Sequence, residues 1–314
     1  MSARRRENDG AGQRIAADEP STPPVVTWRE LQPVPSLAAL TWRALRHRGR
    51  RGAPLPGLGL RGRVAVDATQ LDRYRQVCGI DDHARLPPLF PQVLAYPLQL
   101  ALVTDATFPF AAMGLVHLEN RIRLLRPLAT RGPLEVQVWS DALAAHDKGW
   151  VFDIELRVAD ADGPLWEGRA RALSRAPAGA TPAVSPAARR LATARETASL
   201  PMTAVTTWRA PAAIGRRYAR ASGDWNPIHL SAFSARLFGF PRAIAHGLWH
   251  KARALAALHA HLPAAAVQID VRFQRPVLLP ATLHLLASAP GSEGRFALQG
   301  DDGTPHLAGR WSPL

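Results

Sequence analysis

A short segment, residues 218–230 (YARASGDWNPIHL), brings a carboxylate, an amide and an imidazole within six residues of one another. These groups are Asp224, Asn226 and His229, and the glycine and proline beside them predict a constrained turn. An ionised carboxylate and a neutral imidazole can hold a water molecule, take its proton and return one to a neighbouring carbon. The spacing therefore indicates acid–base chemistry of the kind that adds water to a double bond. The alternative is that Asp224 or Asn226 caps a helix and His229 lies on the surface.

A second group of residues offers a place for negative charge. Adding water to a C=C bond conjugated with a carbonyl group builds negative charge on the carbonyl oxygen. His246 and Gly247 lie at the start of a predicted helix, residues 245–261, where free N–H groups and the helix dipole favour an anion. Gly247 has no Cβ, so a carbonyl can approach its N–H closely. We assign Gly247, His246 and Ser222 to substrate binding.

The sequence lacks the motifs of metal-dependent, cofactor-dependent and serine-hydrolase chemistry. His246 and His250 have zinc-ligand spacing, but the glutamate of the metalloprotease motif is missing between them, so we predict no metal. The sequence has no G-x-S-x-G elbow, P-loop or dinucleotide fingerprint, and we predict no cofactor. Cys78 is the only cysteine, which excludes a disulfide within the chain, and we expect it to be a core residue.

The charge balance is strongly basic, with 39 Lys and Arg against 25 acidic residues and a net charge of +14. Only two of the basic residues are lysines, a skew that genomic base composition explains as well as an anionic partner does. Nucleic-acid-binding motifs are missing, so we predict no nucleic-acid partner. The sequence also lacks a secretory signal and a bilayer-length apolar stretch, and we predict a cytoplasmic protein without membrane insertion.

The chain repeats itself. Residues 90–97 (FPQVLAYP) align with residues 240–247 (FPRAIAHG), and residues 74–79 (YRQVCG) align with residues 218–223 (YARASG). Around both anchors, a helical stretch is followed by segments of alternating polarity, which predict antiparallel strands. In the first half these are residues 115–124, 134–139, 150–158 and 165–173, and in the second half 267–273, 282–286 and 295–299. We predict an α+β fold in which an antiparallel sheet wraps a central helix, twice over.

The segment SGDWNPIH, followed by GFPRAIAHG and RFQRPV, resembles the MaoC-type (R)-specific enoyl-thioester hydratases and dehydratases. The resemblance covers residues 203–314 and implies a hotdog fold, with the duplication giving a double hotdog. It implies that Asp224 and His229 are catalytic, that Asn226 has a structural or water-orienting role, and that the Gly247 amide binds the thioester oxygen. The implied substrates are 2-enoyl or 3-hydroxyacyl thioesters of coenzyme A or acyl carrier protein, in fatty-acid or polyketide-type metabolism.

The first half departs from this pattern. It has Ile80 where the second half has Asp224, and Tyr96-Pro97 where the second half has His246-Gly247. Pro97 has no N–H to donate, so we expect this half to be catalytically inactive, completing the sheet and lining the acyl pocket. The expected organisation is a disordered tail (1–24), a degenerate hotdog (25–175), a linker (176–202) and a catalytic hotdog (203–314).

The sequence is also compatible with two other functions. A hotdog thioesterase would use a similar carboxylate to activate water at the carbonyl, although hydration of a double bond needs the second proton-handling group that His229 offers. A non-catalytic acyl-binding module would need neither group. Acyl length, thioester carrier and a homodimer are also left open.

Overall fold

The computed structural model describes residues 26–50, 52–128, 132–176, 201–263 and 266–314. The predicted tail and residues 177–200 of the predicted linker lie outside the described residues. No helix in the described ranges is both long and apolar enough to cross a bilayer.

Within these ranges, eleven strands form one sheet, in the order β1-β2-β4-β5-β6-β3-β8-β11-β10-β9-β7. All neighbours are antiparallel except β1 and β2. The strands are β1 (Thr27–Glu30), β2 (Leu58–Val64), β3 (Val116–Leu124), β4 (Leu134–His146), β5 (Gly149–Asp160), β6 (Gly163–Arg175), β7 (Thr203–Ala210), β8 (Val267–Phe273), β9 (Ala281–Ala287), β10 (Gly294–Gly300) and β11 (Pro305–Pro313).

Helices cover this sheet and carry the candidate site. They are α1 (Leu37–Arg46), α2 (Ala68–Cys78), α3 (Phe90–Val103), α4 (Ile214–Ser222), α5 (Ala232–Arg236) and α6 (Gly247–Ala257), with a 3₁₀ turn at Pro227–His229. The helix α3 packs on β2, β4 and β5, while α2 packs on α4 across the two halves. Cys78, at the end of α2, is fully buried, as expected of a core residue.

The sheet shows the same strand order twice. Apart from β1, an added edge strand of the first half, the first half runs β2-β4-β5-β6-β3 from the outside to the centre and the second half runs β7-β9-β10-β11-β8. In both halves the second strand in sequence therefore lies innermost, and β3 pairs with β8 at the centre. The predicted duplication is confirmed by this shared topology.

The repeated Tyr-x-x-x-(Cys/Ser)-Gly anchor is a helix end in both halves. Gly79 follows α2 with φ 61° and Gly223 follows α4 with φ 81°. This left-handed conformation is strained for residues with a Cβ, which explains why glycine ends both helices.

The predicted boundaries need corrections. The helix predicted over residues 245–261 begins only at Gly247 and ends at Ala257. Ala245 precedes it as extended chain, donating its N–H to the Val277 carbonyl. The strands β1, β2, β7 and β11 were not predicted. The residues of β7 are largely exposed, and β11 contains Gly309, over which the Phe296 ring lies.

The two halves are joined at the centre of the sheet by a buried lysine. Lys251 of α6 is fully buried, and its Nζ donates to Asn120 Oδ1 at 2.7 Å, to the Asn120 carbonyl at 3.1 Å and to the Ile269 carbonyl at 3.3 Å. Asn120 belongs to β3 and Ile269 to β8, so one side chain bridges both innermost strands. The Asn120 amide in turn donates to Gln92 of α3.

Candidate active site

The turn after α4 sets the position of Asp224. Ser222 Oγ donates to the Tyr218 carbonyl at 2.9 Å and accepts the Asp224 N–H at 3.2 Å. Gly223 then ends α4 in the left-handed conformation, and the Asp224 side chain that follows is 28% exposed. Since the buried Ser222 hydroxyl already has a donor and an acceptor, the contacts favour a role in positioning Asp224 over the predicted contact with substrate.

Asn226 lies at the start of the 3₁₀ turn. Its Oδ1 accepts the Ile228 N–H at 3.4 Å, and its own N–H donates to Asp224 Oδ1 at 3.2 Å. Asn226 is therefore a cap, as the alternative interpretation of the motif had it, and it also contacts the candidate catalytic carboxylate.

The turn ends at His229, which is 8% exposed and so is not the surface residue of the alternative interpretation. Its Nδ1 lies 2.8 Å from the Ile244 carbonyl. A carbonyl only accepts hydrogen bonds, so Nδ1 carries the proton and Nε2 is left with its lone pair. In the neutral imidazole, Nε2 is therefore the proton acceptor.

A glycine behind His229 was missed from the sequence. A Cβ on Gly215 of α4 would lie 1.9 Å from the His229 carbonyl oxygen. The close approach of α4 to the 3₁₀ turn therefore requires glycine at this position. Glycine inside a predicted helix was the available signal, because it is unfavourable there without a packing reason.

His246 completes a compact group with Asp224 and His229. The two imidazole rings stack with centroids 3.6 Å apart, and His246 Nε2 donates to the Asp224 backbone carbonyl at 3.0 Å. This bond favours a positioning role for His246 over the predicted substrate contact. Oxygen and ring-nitrogen atoms of the three residues lie within 4.8 Å of one another, a distance that suits a shared small molecule such as water. His250 lies apart from this group, and the absence of a metal stays a prediction.

The protonation states suit this geometry. Burial, and then the nearby His246, lower the pKa of His229 to about 3. Burial opposes ionisation of Asp224, but His246, His229, the Asn226 N–H and the Tyr96 hydroxyl outweigh it and hold the pKa of Asp224 below its ordinary value. At neutral pH the pair is therefore a carboxylate beside a neutral imidazole.

Gly247 is the first residue of α6, and the His246 side chain does not cap this helix. N–H groups in the first turn of a helix have no acceptor within the helix, so the Gly247 N–H is available to an anion. A Cβ here would lie 2.9 Å from the Phe273 ring. Glycine is thus required for packing against β8 as well, which the sequence did not reveal.

Tyr96 of α3 is a further residue of the site, supplied by the first half. Its hydroxyl donates to Asp224 Oδ1 at 3.1 Å. The alignment of Tyr96 with His246 was the one signal in the sequence, but no local motif marks the contact, because 128 residues separate Tyr96 from Asp224.

A cavity of about 870 Å³ lies between α2, the C-terminal end of α6 and the chain that follows α2. Its walls include Ile80, Leu86, Leu89, Leu255 and Ala256, and none of the six predicted site residues. The role of the first half in lining the acyl pocket stays a prediction.

Comparison with known proteins identifies the family. Residues 189–306 match the family described as MaoC like domain. The 3-hydroxyacyl-thioester dehydratase X of Mycobacterium tuberculosis is 35% identical over 247 residues, which are 78% of this chain and 85% of the relative. The chain belongs to the MaoC-like dehydratase family.

Solved structures support this membership. A crystal structure of the same M. tuberculosis dehydratase superposes with a TM-score of 0.69 at 32% identity, covering 81% of this chain and 100% of that one. Another M. tuberculosis protein, described as having a double hotdog fold, superposes with a TM-score of 0.53 at 17% identity, covering 88% of this chain and 97% of that one. The predicted family, class of enzyme and double hotdog fold are confirmed.

Proposed function

We propose that this MaoC-like protein catalyses the (R)-specific hydration of 2-enoyl thioesters and the reverse dehydration of 3-hydroxyacyl thioesters, with Asp224 and His229 as the acid–base pair. One observation carries the proposal: a carboxylate oxygen of Asp224 and a ring nitrogen of His229 lie within 4.8 Å of each other, and the bond from His229 Nδ1 to the Ile244 carbonyl leaves Nε2 as the basic nitrogen of the neutral ring. The M. tuberculosis relative is named for dehydration of 3-hydroxyacyl thioesters, which is the same reaction class.

Water lies between the two acceptors in this mechanism. Asp224 Oδ2 and His229 Nε2 each accept one of its hydrogens, which directs an oxygen lone pair at carbon 3 of the enoyl group. As the C–O bond forms, one O–H bond of the water breaks and its proton moves to the pair. The pair then delivers a proton to carbon 2, so that one water is added in total. Dehydration follows the same steps in reverse.

The enolate that forms between these two steps carries its negative charge on the thioester oxygen. The Gly247 N–H, at the positive end of α6, donates to that oxygen. Its contribution grows as charge builds up, so it lowers the barrier more than it tightens substrate binding.

The thioesterase alternative predicts a different bond change, with water attacking the carbonyl and releasing a free thiol. The orientation of His229 favours hydration, because a hydrolase needs one base while carbon protonation needs a second group that can hold a proton. A non-catalytic acyl-binding module would leave unexplained a carboxylate and an imidazole held with acceptor atoms facing one space. The thioester carrier, the cytoplasmic location and a homodimer stay predictions.

A chain-length series of trans-2-enoyl thioesters tests the proposal. Hydration removes the conjugated double bond, so absorbance of the enoyl thioester falls while the amount of free thiol stays constant. We expect saturable turnover on at least one chain length, with coenzyme A or acyl carrier protein as the carrier. Release of free thiol without prior loss of the double bond would favour the thioesterase, and binding without either change would favour the acyl-binding module.

A further inference from the structure

We propose that the inactive first half supplies a positioning residue, Tyr96, to the active site of the second half. This inference rests on the proposed function of Asp224. It assigns the first half a role in the chemistry, beyond completing the sheet.

The two carboxylate oxygens of Asp224 differ in their hydrogen bonds. Oδ1 accepts the Tyr96 hydroxyl at 3.1 Å and the Asn226 N–H at 3.2 Å. Among the described residues, Oδ2 accepts no hydrogen bond and lies 3.9 Å from His246 Nε2. One donor from each half thus occupies Oδ1, which fixes the plane of the carboxylate and leaves Oδ2 to face the water and His229.

The Tyr96 hydroxyl acts as a donor at working pH. Burial, and then the Asp224 carboxylate, raise the pKa of Tyr96 well above its ordinary value, so the phenol keeps its proton. A hydrogen bond to an ionised acceptor is stronger than one between neutral groups, and it stabilises the charged form of Asp224. Tyr96 therefore both orients the carboxylate and helps to keep it ionised.

The internal repeat shows which features of the active site the first half lacks. Tyr96 and Pro97 align with His246 and Gly247, but they lie inside α3, which begins at Phe90, so the first half has neither a helix start nor a backbone N–H at the proline position. Asp81, next to the aligned Ile80, is exposed to solvent. The first half therefore has no aspartate at the position aligned with Asp224, while its helix α3 contacts Asp224 itself through Tyr96.

Tyr96→Phe removes only the hydroxyl and tests the proposal. We expect kcat to fall roughly tenfold or more with KM little changed, because the lost bond holds the carboxylate and not the substrate. The pKa of Asp224 should rise, which shifts the acidic limb of the kcat/KM profile to higher pH. A merely structural role would not move that limb. An acidic limb of the kcat/KM profile at the same pH as in the wild type would overturn the proposal, whether or not kcat falls.

Tyr74→Phe is the matched control. Tyr74 is another tyrosine of the first half, fully buried, and its hydroxyl lies next to Cys78 and Tyr218 and does not contact Asp224. Removing this hydroxyl should leave both kcat and the pH profile at wild-type values. A loss in Tyr74→Phe equal to that in Tyr96→Phe would overturn a specific role for Tyr96.

A measurement without turnover separates this inference from the proposed function. Carbon-13 NMR of aspartate-labelled protein reports the pKa of the Asp224 carboxyl, with Asp224→Asn assigning its signal. A higher pKa in Tyr96→Phe than in the wild type supports the contact even if no thioester is hydrated, an outcome that would reject the hydratase instead. An identical pKa in both proteins would overturn the inference.

Discussion

At the scale of single residues, the site depends on two proton acceptors that differ in kind. Asp224 is ionised and partly exposed, while His229 is neutral and nearly buried. The hydrogen bond from His229 Nδ1 to the Ile244 carbonyl fixes which nitrogen is free. The neutral state of His229 could not be derived from the residue type alone, since an unperturbed histidine titrates near neutral pH.

Substitutions of the pair give the first prediction. Asp224→Asn and His229→Gln should each lower kcat by about 100-fold or more with the fold intact, the usual size of an acid–base contribution. Thermal unfolding and circular dichroism check the fold. Asp81→Asn is the control, because Asp81 is exposed in the inactive half and should leave turnover unchanged. Near wild-type kcat in either folded variant of the pair would contradict the assignment.

The second prediction concerns pH. The pKa of His229 is lowered to about 3 from an ordinary 6.5, and the pKa of Asp224 lies below its ordinary 3.8. Both groups are therefore in their working forms above these values, and kcat/KM for hydration should stay nearly constant from about pH 5 to about pH 8. An acidic limb centred at the ordinary histidine value would show that His229 is not held neutral.

At the scale of elements, one glycine at the start of α6 has two roles, packing against β8 and, in the proposed mechanism, donating its N–H to the substrate. Gly247 lies close to the Phe273 ring, and its N–H is in the first turn of the helix, where it has no acceptor within the helix. A simple Gly247→Ala variant therefore changes two properties at once, since the new methyl group would lie 2.9 Å from the ring. We expect alanine alone to be destabilising.

The third prediction separates the two roles. In a Phe273→Leu background, which relieves the clash, Gly247→Ala keeps the N–H and Gly247→Pro removes it. Proline suits the first position of a helix, and His246, with ψ 132°, has the extended backbone that proline requires before it. We expect kcat of the proline variant to be about 100-fold below that of the alanine variant, the typical cost of one lost donor. Equal kcat at similar melting temperatures would end the idea that this amide binds the thioester oxygen.

The sequence predicted these elements unevenly. Alternating polarity marked most strands, and β8 has the predicted bounds, residues 267–273. Strands with exposed faces gave no such pattern, and β7 was missed for that reason. The motif around Asp224 brought the acid–base pair together because its members are close in the chain. Tyr96 and Gly215 could not be found in this way, since each acts through a contact that only the fold creates.

At the scale of the whole molecule, Lys251 joins the halves, and no carboxylate of the described residues is in hydrogen-bond contact with it. Burial lowers its pKa from 10.5 to about 7, although Asp270 partly opposes the shift. Between these two values the unfolded chain binds a proton that the folded chain does not. Stability contributed through this group therefore rises with pH across that window.

Comparison with Lys251→Met gives the fourth prediction. The free energy of unfolding of the wild type, relative to the variant, should increase from pH 7 to pH 9, by at most about 1.4 kcal/mol per pH unit. Urea unfolding of both proteins at several pH values measures it, and other titrating groups cancel in the difference. A difference that does not change with pH would mean that Lys251 keeps its ordinary pKa.

The most direct test of Asp224 and His229 as a water-adding pair follows the oxygen atom. A trans-2-enoyl thioester is incubated with the enzyme in ¹⁸O-labelled water, and the product is analysed by mass spectrometry and chiral chromatography. We expect label in a hydroxyl group at carbon 3, in the (R) configuration, with the thioester intact, and loss of labelling in Asp224→Asn and His229→Gln. Label in a free carboxylate with release of thiol would contradict the proposed function. Labelling of carbon 3 by both variants at the rate of the wild type would contradict it as well.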